Sequence, residues 1–136
     1  MKDRWMVFWG CMGSAVAGAF GGWDASLTAL IVTMAVDYLS GSLVAPVFGK
    51  SSHTETGTYS SAYGFKGLCK KVMVLALVLL GARLDAVMGF DYIRDAVCIG
   101  FLANELMSIV ENAGLMGLPL PKAVTQAIEQ LKEKTE

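Results

Sequence analysis

Long apolar segments dominate this chain and limit what it can fold into. Residues 5–23 contain no charged side chain, and residues 25–48 contain one, Asp37. Each segment is close to the roughly 20 residues that a helix needs to cross a bilayer. With 54% hydrophobic residues and a mean hydropathy of +0.53, the chain is also too apolar for an ordinary soluble domain of 136 residues. The sequence therefore predicts an integral membrane protein.

Two further segments are apolar but carry charges. Residues 72–90 contain Arg83 and Asp85, and residues 93–112 contain one basic and three acidic side chains. We expect both segments to cross the membrane as helices, because a helix satisfies its own backbone polar groups in lipid. The predicted fold class is therefore all-α, with about four transmembrane helices.

The remaining segments differ in composition from these four. Residues 49–71 are rich in Ser, Thr and Gly, which is typical of a solvent-exposed loop. Pro121 opens residues 121–134, where apolar side chains at helical spacing predict a short amphipathic helix. We expect one domain over residues 1–136.

Positive charges predict the orientation in the membrane. Lys2 and Arg4 precede the first segment, residues 49–71 contain four lysines, and residues 121–134 contain three. Lys and Arg are enriched on the cytoplasmic side, so we expect both termini in the cytoplasm. The basic start resembles a signal peptide, but more apolar segments follow it, and we interpret the first segment as a retained anchor.

Small residues recur along the first segment. Gly10, Ser14, Gly18 and Gly22 follow one another at four-residue spacing. Such spacing lets two helices approach closely, so we predict a helix-packing face. The sequence leaves open whether the neighbouring helix belongs to the same chain or to another copy.

Polar residues in the fourth segment share one side of the helix. At 100° per residue they fall within about a third of the circumference. Four charges left in lipid cost on the order of 10 kcal/mol in sum, so this polar stripe faces protein or water. Two arrangements stay open: packing against Asp37 and Arg83 in a closed bundle, or lining an opening between copies. The polar stripe comprises Arg94, Asn104, Glu105, Ser108, Glu111 and Asn112.

A carboxylate at mid-bilayer costs about 2.5–3.5 kcal/mol, so Asp37 must pair with a cation, meet water or be protonated. Arg83 and Arg94 are the cations available for structural pairing, and a role of Asp37 in gating or conduction is the alternative. Our candidates for pore lining or gating are therefore polar residues of these segments: Asp37, Arg83, Asp85, Arg94, Asn104, Glu105, Ser108, Glu111 and Asn112.

Several classes of function have no support in the sequence. We find no nucleophile–base pair, phosphate loop or metal-ligand cluster, so we predict no enzyme, no cofactor and no metal. There is no basic tract of the kind that binds nucleic acid. The three cysteines, Cys11, Cys69 and Cys98, have no metal-type spacing.

Four sequence blocks, in order, resemble the toxin-secretion and phage-lysis holin family. They are "FGGWD" (20–24), "DYLSG" (37–41), "GFKGLCKK" (64–71) and "FLANELMSIVENAGLMGLPLPK" (101–122). The resemblance covers nearly the whole chain. It implies a protein that oligomerises in the cytoplasmic membrane of a bacterial host and opens lesions that release an endolysin or a large toxin. The implied partners are copies of itself, the lipid bilayer and that endolysin or toxin.

Two other functions are alternatives. One is an antiholin that blocks such a lesion, for which Met6 offers a second start lacking the first charges. The other is a small proton-coupled exporter that uses a membrane carboxylate such as Asp37 or Glu105. Passage of macromolecules separates a holin from an exporter.

Overall fold

The computed structural model describes residues 1–49 and 61–135. This part of the chain contains helices and no strand, which confirms the predicted all-α class. The helices are α1 (Lys2–Ala19), α2 (Ala25–Phe48), α3 (Ser61–Met88), α4 (Ile93–Leu115) and α5 (Lys122–Thr135).

Two carboxylates cap helix starts at the same end of the bundle. The Asp24 carboxylate accepts a hydrogen bond of 3.0 Å from the backbone N–H of Leu27 and caps α2. Asp85, near the end of α3, accepts from the backbone N–H groups of Ile93 and Arg94, both at 3.0 Å. Because α3 supplies the acceptor for the first turn of α4, the two helices are held together at this end.

A glycine turn ends α1. Gly21 has φ +79°, and the next residue, Gly22, donates its N–H to the Ala17 carbonyl at 2.8 Å. Glycine is favoured here because a left-handed residue closes the last helical turn in this way. Gly22 therefore lies beyond the end of α1, and its role in helix packing stays a prediction. Gly10, Ser14 and Gly18 remain on the helix.

Helix α4 is the central element of the bundle. It packs against α2, α3 and α5, whereas α2 and α3 contact each other much less. Arg94, Cys98 and Asn112 are buried on one side of α4 and Ala103 on the other. By contrast, α1 has no buried residue and contacts, among the helices, only α3.

Gly81 of α3 lets α4 approach closely, since a Cβ at this position would lie 3.1 Å from the Cα of Arg94.

An apolar layer fills the middle of the bundle. The side chains of the apolar layer are buried and come from three helices: Leu27, Leu30 and Met34 of α2, Val74 and Val78 of α3, and Cys98 of α4.

The outer faces of the helices are apolar. On α2 the exposed large side chains follow each other at helical spacing: Val32, Val36, Leu39, Leu43 and Val47. A similar row runs along α3 and includes Leu68, Val72, Leu80, Leu84 and Val87. Such continuous apolar faces mark contact with a membrane or with other protein.

Within the described residues, α2 is the helix whose length and composition suffice to cross a membrane. The charges Lys2, Asp3 and Arg4 lie within α1, and α3 also carries several charges. Four transmembrane helices are therefore not confirmed by the structure.

The predicted loop over residues 49–71 is wrong in its second half, because α3 begins at Ser61. Phe65, Leu68 and Val72 recur at helical spacing on an exposed face, and this periodicity outweighs the nearby glycines. The first half of that prediction falls largely on residues 50–60, which lie outside the described residues.

Candidate functional site

A charged triad joins the three central helices. The Lys71 ammonium of α3 donates to the Asp37 carboxylate of α2 at 2.7 Å and to the Glu105 carboxylate of α4. The side chains retain only 12–15% exposure, so the three charges are largely removed from solvent. Such buried charges are tolerated because they pair and hydrogen-bond with one another.

Lys71 was not among the expected partners of Asp37. We predicted Arg83 or Arg94 instead, and both point elsewhere: Arg83 donates to the Gly18 carbonyl at 3.1 Å. The error follows from the loop prediction, which placed Lys71 outside any helix. Lys71 lies three residues before Val74 and seven before Val78, so the three share one face of a helix. This spacing is the sequence signal that could have indicated that Lys71 faces the core, where Val74 and Val78 are buried.

A second polar contact lies beside the charged triad. The Asn112 side chain is 3% exposed and donates to the Ser40 hydroxyl at 2.9 Å. It also lies 3.4 Å from the backbone and side-chain oxygens of Asp37. The end of the polar stripe is thus satisfied by α2 of the same chain.

A cavity of about 250 Å³ opens next to the charged triad. Side chains of α2, α3 and α4 line it, including Ser42, Lys70, Asn104 and Ser108 together with the triad. At ~30 Å³ per molecule this volume has room for about eight waters. The cavity therefore offers hydration to groups that lipid would reject.

At the other end of the bundle, Arg94 gathers acceptors from the α1–α2 connection. Its guanidinium binds the Asp24 carboxylate through two hydrogen bonds, 2.7 and 3.1 Å long. It also donates to the backbone carbonyls of Phe20 and Gly22 and to Asp95 at 3.0 Å. The planar guanidinium suits this arrangement because it presents several donors in a fixed geometry. We call these contacts the Arg94 network.

The Arg94 network changes the acidity of Asp24. The side-chain hydrogen bond from Arg94, helped by the N–H of Leu27, holds the pKa of Asp24 below its ordinary value of 3.8. The carboxylate is 50% exposed, so solvent screens much of this effect.

The structure thus divides the candidate residues between two places. Asp37, Glu105 and Asn112 meet around the charged triad, and Asn104 and Ser108 line the adjoining cavity.

The other candidates lie apart from the charged triad. Arg94 and Asp85 lie at the opposite end, Arg83 reaches the end of α1, and Glu111 is exposed. Their roles in gating or pore lining stay predictions.

Every buried side-chain nitrogen or oxygen of the described residues has a hydrogen-bond partner. No group of three or more His, Cys, Asp or Glu side chains in that part of the chain is arranged to hold a metal ion. The buried polar groups are therefore satisfied by partners within one chain, whereas Asn104 and Glu111 are exposed.

Comparison with protein families identifies the chain. The model of the bacteriophage holin family matches residues 14–133, which is most of the sequence. The chain belongs to the bacteriophage holin family. Holins are non-enzymatic membrane-pore proteins, and no catalytic family is indicated. Family membership also implies that the chain resides in a membrane.

Relatives of this holin-family chain occur in several bacteria. An uncharacterized protein of Halalkalibacterium halodurans is 35% identical over 127 residues, covering 89% of this chain and 88% of its own length. One from Listeria innocua is 35% identical over 117 residues, covering 85% and 78%. A 14.9 kDa protein encoded in the nagH 3′ region of Clostridium perfringens is 30% identical and covers 94% of both chains. No solved structure matches the chain.

Proposed function

We propose that this chain is a holin that oligomerises in the cytoplasmic membrane of a bacterial host and opens lesions through which an endolysin, or a large toxin, leaves the cytoplasm. In this proposal α1 to α4 cross the membrane and both termini lie in the cytoplasm. The family match and the apolar outer faces of α2 and α3 support it.

The pairing of the polar stripe within one chain carries the proposal. Glu105 binds Lys71, Asn112 binds Ser40, and Arg94 binds Asp24, so each meets its partner in α2, in α3 or at the start of α2. A single chain thus keeps these three groups paired, although Asn104 and Glu111 of the polar stripe remain exposed. This is the state in which a holin accumulates without harm.

Opening requires the polar stripe to exchange these internal partners for water between copies. An element with two such arrangements, one sealed and one hydrated, behaves as a switch. The large polar area of α4 suits the wall of a lesion wide enough for a folded protein. The smaller charge content of α2 suits a lipid-facing position in both states.

Helix α1 supplies a surface for contact between copies. A Cβ placed at Gly10, Gly13 or Gly18 would meet nothing within 4 Å. These three glycines therefore do not serve packing among the described residues of this chain. In a membrane, close approach of small residues is a main source of helix association.

The test is inducible expression in a bacterium that carries an endolysin in its cytoplasm. We expect growth to continue after induction and then stop abruptly, with the endolysin released and the cells lysed. Without the endolysin, viability should still fall. Viable cells that retain the endolysin while small cations cross the membrane would instead support an exporter and contradict the proposal.

Cysteine labelling tests the hydrated polar stripe directly. The native Cys11, Cys69 and Cys98 are replaced by Ala, and a single cysteine is placed at Ser108 or Asn112, two cavity-lining positions of the polar stripe that are not exposed. A polymer-linked maleimide too bulky for the 250 Å³ cavity should react only after lysis begins. A cysteine at Leu80, on the apolar face of α3, is the matched control and should stay unreactive. Equal labelling before and after lysis at the test positions would refute the switch.

A further inference from the structure

Along each of the helices α2, α3 and α4, a polar residue, then buried apolar residues, then a second polar residue follow one another in the same direction across the bundle. From Asp24, α2 passes the apolar layer at Leu27, Leu30 and Met34 and then reaches Asp37.

The other two helices repeat this order. Along α3 from its C-terminal end, Asp85 precedes Val78 and Val74, which precede Lys71. Along α4, Arg94 precedes Cys98, which precedes Glu105. The three helices thus place an apolar layer between two polar clusters.

The helical rise gives the dimensions of these levels. Asp24 and Asp37 are thirteen residues apart, or about 20 Å at 1.5 Å per residue. Leu27 to Met34 covers about 10 Å of that length. The apolar layer that separates the two polar clusters is therefore about two helical turns thick.

The charges around the cavity determine which ions could pass between the two polar clusters. Its lining includes the carboxylates of Asp37 and Glu105 and the ammonium groups of Lys70 and Lys71, with formal charges that sum to zero. A neutral cavity does not concentrate metal cations or anions. Carboxylates in contact with water are, however, the groups from which proton relays in membrane proteins are built.

We propose that each chain contains an interrupted proton path, made of the cavity at the charged triad, once filled with water, and the Arg94 network, and closed by the apolar layer. Water bridging the layer would connect Glu105 and Asp37 to Asp24 and complete the path. Hydrophobic constrictions close channels in the same manner, by excluding water. This activity goes beyond the lesion between copies, because it belongs to a single chain.

The test introduces a polar side chain into the apolar layer, so that water can enter it. Leu30→Asn places an amide in the layer, where Leu30 is 0% exposed. Val44→Asn is the matched control, because Val44 is also buried in α2 but lies beyond the charged triad, away from the layer. Full-length variants are reconstituted into vesicles at less than one chain per vesicle. Each vesicle holds a pH-sensitive dye, and a potassium ionophore balances charge.

We expect Leu30→Asn to raise the rate of proton entry after a pH jump at least about tenfold over the wild type, equivalent to a barrier lowered by ~1.4 kcal/mol. Val44→Asn should remain at the wild-type rate. Adding Glu105→Gln to Leu30→Asn should return the rate toward the wild type. A dextran trapped in the same vesicles should be retained, which separates this path from a lesion.

Three results would overturn the proposal: no increase with Leu30→Asn, the same increase with Val44→Asn, or proton entry only together with dextran release. If Leu30→Asn does not fold, as judged by circular dichroism, Val78→Thr provides the same test with nearly unchanged shape. The endolysin assay in cells tests the proposed lesion separately, so either proposal can fail while the other stands.

Discussion

Replacing Lys71 by Met removes the ammonium group that joins α2 and α4 while keeping an unbranched side chain of similar length. Asp37 and Glu105 then share no cation, and their side chains are only 15% and 12% exposed in the wild type. The closed bundle loses its pairing, whereas an opened state in which both carboxylates meet water loses little. We therefore expect Lys71→Met to favour the opened state and to advance lysis.

The size of the effect follows from the burial of the charged triad. Removing one partner of a buried ion pair costs about 3–5 kcal/mol. The adjoining cavity can hydrate the two carboxylates, so we take the lower end, about 3 kcal/mol. At 1.4 kcal/mol for each factor of ten, the ratio of opened to closed chains rises by roughly a hundredfold.

The assay compares the time of lysis after induction in cells that contain the endolysin. Lys70→Met is the matched control, because Lys70 is the neighbouring residue, lines the same cavity and is exposed. Immunoblotting of membranes corrects for the amount of each variant. The variant Asp37→Asn/Lys71→Met/Glu105→Gln, which leaves no charge in the triad, should return the lysis time toward that of the wild type.

Lysis by Lys71→Met at the same time as Lys70→Met, at equal amounts in the membrane, would refute this reasoning. Later lysis would refute it as well. In either case the charged triad would not hold the bundle closed.

Three further predictions concern other parts of the chain. Gly81→Ala brings a Cβ to within 3.1 Å of the Arg94 backbone and should lower the free energy of unfolding in detergent by about 1–3 kcal/mol relative to Gly67→Ala, which meets nothing within 4 Å. Because the pKa of Asp24 is lowered in the folded state, the Asp24 carboxylate stabilises the fold above pH 3.8, and this stabilisation is lost as the pH falls through the folded-state pKa. Asp24→Asn should therefore remove this part of the acid dependence of the melting temperature. Gly18→Leu should leave the melting temperature of the single chain unchanged but reduce crosslinking between copies in membranes, and undiminished crosslinking would contradict the packing role of α1.

Local features of the chain could be predicted from its sequence. The apolar run over residues 25–48 gave the bounds of α2 because composition alone distinguishes it from its neighbours. The polar stripe of α4 could also be predicted, since helical periodicity by itself places Glu105 and Asn112 on one side of the helix. Local pattern was sufficient in both cases.

Partners distant in sequence could not be predicted in the same way. Lys71 is 34 residues from both Asp37 and Glu105, and which cation reaches them depends on how α3 lies against α2 and α4. Nor did hydropathy indicate that α3 begins at Ser61, because Gly64 and the serines before it are typical of loops. The central place of α4 likewise depends on tertiary packing.

Because α1 packs little against the rest of the bundle, its sequence is constrained mainly by what it contacts outside the chain, whereas the other helices are constrained by the folded core. No residue of α1 is buried, and it meets the bundle only near its C-terminal end, where Arg83 holds the Gly18 carbonyl. Substitutions along most of α1 leave the fold of the bundle intact and alter only what the helix meets outside it. The strength of association, and with it the moment of lysis, can therefore be tuned by mutation in α1 without eroding the folded core.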